Sequence, residues 1–188
     1  MFNYHSLKTL LIVVVVSIFF AVPVLAQPLG VLPDPRLTSG AVDSAVTQAN
    51  IMSTICVHGY TARVRHVTAA EKREDLARYH QALPDWPAGP YEIDHLISLE
   101  LGGSNDINNL WPEPMSLSVI PAQAGIHVDD KMDARLQSSG MTDLGARKKD
   151  RVENYLHRQV CEGRISLKDA QEEISHDWVK VYEGMEGK

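Results

Sequence analysis

The stretch YEIDHLISLELGGSNDINNLWPEP, Tyr91 to Pro114, decides how this chain of 188 residues folds. It sets an acid–histidine pair, Asp94-His95, on a short apolar strand. Ile93, His95 and Ile97 fall on one face and Asp94, Leu96 and Ser98 on the other, so the alternation predicts a strand over 92–101. Gly102-Gly103-Ser104-Asn105-Asp106 carries turn chemistry, and 107–111 returns as a second strand to close a local hairpin. Successive strand side chains point to opposite faces. Asp94 and His95 can therefore serve one ligand only where the strand twists, bulges or ends.

On the N-terminal side, 27–40 is rich in proline and glycine and reads as an extended lead-in. Val46, Ala49, Ile51 and Met52 predict a short helix over 43–54, and 56–67 reads as strand or irregular chain. Thr68 with Glu71 three residues on forms a capping box, opening a helix that turns Leu76, Tyr79, His80 and Leu83 to one face. Pro84, Pro87, Gly89 and Pro90 stop it. Beyond the hairpin, 148–162 carries Val152, Tyr155, Leu156 and Val160 at helical spacing and is stopped by Gly163. Ser166 and Asp169 then open a last helix with Leu167, Ala170, Ile174, Trp178 and Val181 on its apolar stripe. Helices around a local hairpin predict an α+β fold.

The first 26 residues read as an export signal: Lys8 supplies a positive start, 10–22 is almost continuously apolar, and Val24-Leu25-Ala26 offers small residues for cleavage. The expected mature chain, 27–188, is long enough for one domain. Its expected location is the periplasm or outside the cell, with no stable membrane association after cleavage. The whole chain carries 18 − 24 = −6, and losing Lys8 leaves 17 − 24 = −7. An acidic chain does not grip long duplexes by a broad basic surface. Local patches at Arg63, Arg65 and His66, or at Arg147, Lys148, Lys149 and Arg151, are the candidate phosphate contacts. Cys56 and Cys161 are an even pair in an exported chain, which predicts one disulfide joining the segment before the hairpin to the helix after it.

Asp-His-Leu-Ile, then Gly-Gly, then Asn-Leu-Trp-Pro resembles the HNH endonucleases. TICVHGYTARVR (Thr54 to Arg65) and VCEGRISLKDAQEEISHDW (Val160 to Trp178) are similar to segments of small exported bacterial proteins with that core. The resemblance implies a ββα-metal core flanked by further helices. It also implies a metal-dependent nuclease of low sequence specificity acting on DNA, or on RNA, to leave 5′-phosphate and 3′-hydroxyl ends. A hard cation, Mg²⁺ or Mn²⁺ with Zn²⁺ as the alternative, would act as Lewis acid on the phosphate. The match assigns Asp94 to the metal, His95 to the general base and Asn109 to the loop-pinning amide that orients the histidine.

The helix residue that completes the metal ligands in that family has no obvious histidine match. Asp150 and Glu153 share a helix face and are the candidates. His127, Asp129 and Asp130 form another group, but they fall in SVIPAQAGIHVDDKMDARL, Ser118 to Leu136. That segment resembles peptides translated from palindromic intergenic repeats, which implies an inserted loop over 115–142. The alternatives to a nuclease are a catalytically inactive HNH-fold binding module and an envelope interaction protein.

Overall fold

The computed structural model describes residues 31–86, 89–119 and 142–187. The chain order is α1 (Tyr60–Val64), α2 (Ala69–Ala82), β1 (Tyr91–His95), β2 (Leu110–Pro114), β3 (Leu117–Val119), β4 (Thr142–Leu144), α3 (Ala146–Cys161) and α4 (Leu167–Glu186), an α+β arrangement. The expected export signal, 1–26, lies outside the described residues. No described helix is long and apolar enough to cross a membrane.

β1 and β2 pair antiparallel, from Tyr91 opposite Pro114 to His95 opposite Leu110. The first strand is shorter than the alternation predicts because side chains claim its backbone. Ile97 N donates to the Asn109 side chain and not to a strand, and Leu101 N and Gly103 N both turn back to Ser98 O, closing a 3-10 turn over Leu99–Leu101. The second strand begins later than expected, at Leu110, because Asp106 caps a 3-10 turn over Ile107–Asn109 through Asn108 N.

Two further expectations are corrected upstream. The 43–54 segment is a run of turns with one 3-10 turn at Ile51–Ser53. Asn50 explains it: its side chain takes Thr47 N and donates to Ala45 O, a local pairing that competes with helical bonds. The 56–67 segment is neither strand nor wholly irregular, since it contains the short helix α1. The Thr68–Glu71 capping box does form at the start of α2.

Two cores flank the hairpin. Leu96 and Trp111 pack with Tyr79 and Trp86 on the α2 side. Ile97 and Leu101 pack with Val152, Leu156, Val160, Ile174 and Trp178 on the side of α3 and α4. Each large apolar side chain buried there contributes about 1.5–3 kcal/mol. Arg78 ties α2 across the hairpin loop, donating to Leu37 O at 2.6 Å and Ile107 O at 2.8 Å while pairing with buried Asp75. Cys56 and Cys161 are bonded, with their Cα atoms 5.7 Å apart.

β3 and β4 form a second antiparallel pair in which Val119 faces Thr142. Their bases are pressed together, since a Cβ on Gly145 would lie 2.6 Å from Met115 O. Most of the expected inserted loop, including His127, Asp129 and Asp130, lies outside the described residues. Because its two ends meet at one strand pair, replacing 120–141 with an Asn-Gly turn is expected to leave the fold intact. Loop closure changes by only about 0.6 kcal/mol per doubling of length, so the melting temperature should move by a few degrees at most. Unfolding of that variant in a thermal scan would show that 120–141 is needed by the domain.

Candidate functional site

The site begins with the loop between β1 and β2. Asn109 is fully buried at the foot of β2. Its Oδ1 accepts from Ile97 N at 2.9 Å, and its Nδ2 donates to Ile97 O and to Ser104 O, both at 2.9 Å. One side chain thus holds both ends of the turn. Gly103 makes this possible, because a Cβ there would sit 1.8 Å from Ile97 O and 2.9 Å from Asn109 Nδ2.

His95 is the last residue of β1, so the strand ends where the pair must act. Asp94 Oδ1 lies 3.8 Å from His95 Nδ1 although the two residues start from opposite strand faces. The histidine tautomer follows from its neighbour. Asn105 Nδ2 donates to Val64 O at 2.7 Å, which turns Asn105 Oδ1 toward His95 Nε2 at 3.2 Å. An amide oxygen only accepts, so Nε2 carries the hydrogen and Nδ1 keeps the lone pair. That nitrogen is buried without a hydrogen-bond partner and faces Asp94. Asn105 also links the site to the C-terminal end of α1, where Arg63 and Arg65 are exposed and His66 N approaches Asn105 Oδ1 at 3.4 Å.

Behind Asp94 lies a cage that the sequence pattern did not reveal. Lys149, from the first turn of α3, is fully buried and reaches its ammonium to β1. Nζ donates to Asp94 Oδ2 at 3.0 Å, to His95 O at 2.8 Å and to Glu153 Oε1 one turn along α3. Glu113 of β2 adds its carboxylate 3.6 Å away. The strand register explains Glu113: it stands opposite Glu92, one diagonal step from Asp94 on the same face.

Charge in the cage is settled by burial and by the lysine. Burial pushes the Glu113 carboxyl well above its usual range and Glu153 up to about 8, against the pull of Lys149. Burial acts the same way on Asp94, but the Lys149 ammonium outweighs it and holds Asp94 below the usual carboxylate range. Burial would lower Lys149, yet Asp94, Glu113 and Glu153 together raise it. At neutral pH the cage holds an ionised Asp94 against a firmly charged lysine.

The remaining expected site residues divide. Glu153 meets Asp94 only through Lys149, and Asp150 is exposed on the outside of α3. Lys149 does not belong to a surface patch with Arg147, and Lys148 and Arg151 instead turn to Tyr182 OH of α4. The expected Mg²⁺ or Mn²⁺ does not fit the donor set as folded. Oxygen ligands would have to approach to roughly 2.0–2.6 Å, and the point where Asp94, Glu113 and Glu153 converge is filled by the ammonium. Cys56, His157 and Cys161 also lie within 4.8 Å of one another. They are a group of metal-ligand type, but the disulfide takes both sulfurs.

Comparison with family models, with curated proteins and with solved structures gives no match to this chain. Glu113 and Asn105 escaped sequence reasoning as site residues, and Lys149 was expected in a surface phosphate patch and not in a buried cage. Only Lys149 left a usable signal, since it sits three residues before Val152 and seven before Leu156 on the buried face of α3. A charge on an apolar stripe is a buried charge, and buried charges have partners.

Proposed function

We propose that this chain is an exported phosphodiester hydrolase of the HNH type, acting on DNA with low sequence specificity and on RNA by the same chemistry. One observation carries the reading: His95 presents an unpartnered basic nitrogen beside Asp94, at a strand end tied through Asn105 to the segment bearing Arg63 and Arg65. In the reaction, His95 Nδ1 takes the proton from an attacking water, and Asp94 steadies the imidazolium that forms. Arg63 and Arg65 face the phosphate charge, and the 3′ oxygen departs with a proton from solvent. Asn109 keeps the loop in the geometry that aims His95. No step is routed through a divalent ion, because the donor set does not accommodate one. Export is supported by the disulfide, which persists in oxidising compartments.

A second reading, a non-cleaving HNH-like binding module, is favoured by the 2% exposure of His95. Nicking of supercoiled plasmid by the oxidised mature protein separates the two. The expected result is nicking that survives EDTA and falls at least about 100-fold in His95→Ala, the usual contribution of a general base. Folded wild-type protein that retards DNA on a gel without cutting it would establish the second reading. Equal nicking by His95→Ala would place the reaction elsewhere.

A further inference from the structure

We propose that Lys149 is the resident cation of this centre: its ammonium occupies the point where Asp94, Glu113 and Glu153 converge and assembles the Asp94–His95 pair without a metal ion. The catalytic consequence rests on the reading of that pair as a reaction centre. The binding consequence stands on the cage alone.

The hydrogen bonds close. An ammonium has three donors and no acceptor, and Lys149 meets three acceptors: Asp94 Oδ2, His95 O and Glu153 Oε1. The Glu113 carboxyl stands 3.6 Å away without taking a bond. The groups around the ammonium come from three elements. Asp94 and His95 end β1, Glu113 lies on β2 and Glu153 on α3, so one nitrogen clamps strand pair to helix. Fixing Asp94 Oδ2 leaves Oδ1 as the oxygen nearest His95 Nδ1. A bound dication would have to displace a side chain that is 1% exposed and break all three bonds. An arginine is no substitute, because its planar fork needs acceptors spread in one plane whereas this cage surrounds a point charge.

Around the ammonium, both oxygens of Glu113, which is 1% exposed and faces the lysine, still lack a hydrogen-bond partner. The cage therefore has more acceptors than its cation uses. Emptied of Lys149, it would present three converging carboxylates, the chemistry that binds a hard divalent cation.

The test uses the full oxidised mature chain with Mn²⁺ as probe and no nucleic acid, so a protein that cuts nothing is still informative. Wild type, Lys149→Met and Lys149→Met with Asp94→Asn are titrated, following the melting temperature and paramagnetic broadening of the His95 ring protons. For wild type the expectation is no broadening of His95 at millimolar Mn²⁺ and a melting temperature unchanged by metal or EDTA. Lys149→Met should melt roughly 10 °C lower, as removal of a buried ion-pair partner does. It should recover several degrees with Mn²⁺ and show broadened His95 signals, and Asp94→Asn should abolish both. Broadening of His95 in the wild type at submillimolar Mn²⁺ would overturn the proposal. So would a folded Lys149→Met that takes no Mn²⁺. Should Lys149→Met fail to fold, the wild-type titration decides alone.

Discussion

Gly103→Ala is expected to cost about 4–6 kcal/mol and to take the site with it. The added methyl would land 1.8 Å from Ile97 O, inside the space occupied by the hydrogen bond from Asn109 Nδ2. Overpacking alone costs about 1–3 kcal/mol. Here the clash is with backbone, which cannot rotate aside, and it opens bonds to buried groups worth about 1–3 kcal/mol each when left unsatisfied. Ile97 N, Ile97 O and Ser104 O all lose the Asn109 amide if it is displaced. Asn105, two residues on, would release His95. Gly102→Ala is the control. Its φ of +73° is unfavourable for alanine, but the methyl meets mainly the Val46 side chain, so about 1–2 kcal/mol is expected. Urea denaturation of the three proteins checks the ranking. A Gly103→Ala protein as stable as wild type would mean that the loop is not held as described.

The second large effect belongs to the disulfide. Removing it with Cys56→Ser and Cys161→Ser is expected to lower stability by about 4–5 kcal/mol, the chain-entropy value for a loop of this length. The bond joins residues separated by 105 positions, so the unfolded chain gains much freedom when it is cut. That is a large part of the 5–15 kcal/mol typical of a domain. Ile55 and Val160, each beside a cysteine, remain in the core, and His157 still reaches Ile55 O at 3.0 Å. The double variant should therefore fold, and melt roughly 10–20 °C below the oxidised protein in a thermal scan. Equal melting of the two would show that the bond constrains nothing the core does not already fix.

How far the sequence discloses this molecule depends on the range of the interactions involved. The helices α2, α3 and α4 were legible because their signals are local. Thr68 with Glu71 and Ser166 with Asp169 form the caps their spacing implies, and the apolar stripes of α3 and α4 face the core. On α2, Tyr79 is buried, whereas His80, expected on the same face, is exposed. The 43–54 segment misled because apolar spacing is blind to Asn50, whose side chain satisfies Ala45 and Thr47 locally. Strand length misled because Asn109, twelve residues away, takes the amide of Ile97. At the site, Asp94, His95 and Asn109 stood out as a motif. Glu113 and Asn105 did not, since each matters only through a partner brought by folding: Glu113 through Lys149 and Asn105 through Val64.

The burial of Lys149 makes it a chemical clock for the molecule. Amine-acylating reagents attack the unprotonated, solvent-reached amine, and this one is 1% exposed and locked to three oxygens while its neighbour Lys148 is partly open on Tyr182. Acylation of Lys148 reports the reagent, whereas acylation of Lys149 waits until α3 parts from β1. The ratio of the two, read peptide by peptide, follows the opening of the strand–helix clamp in a protein that is otherwise native.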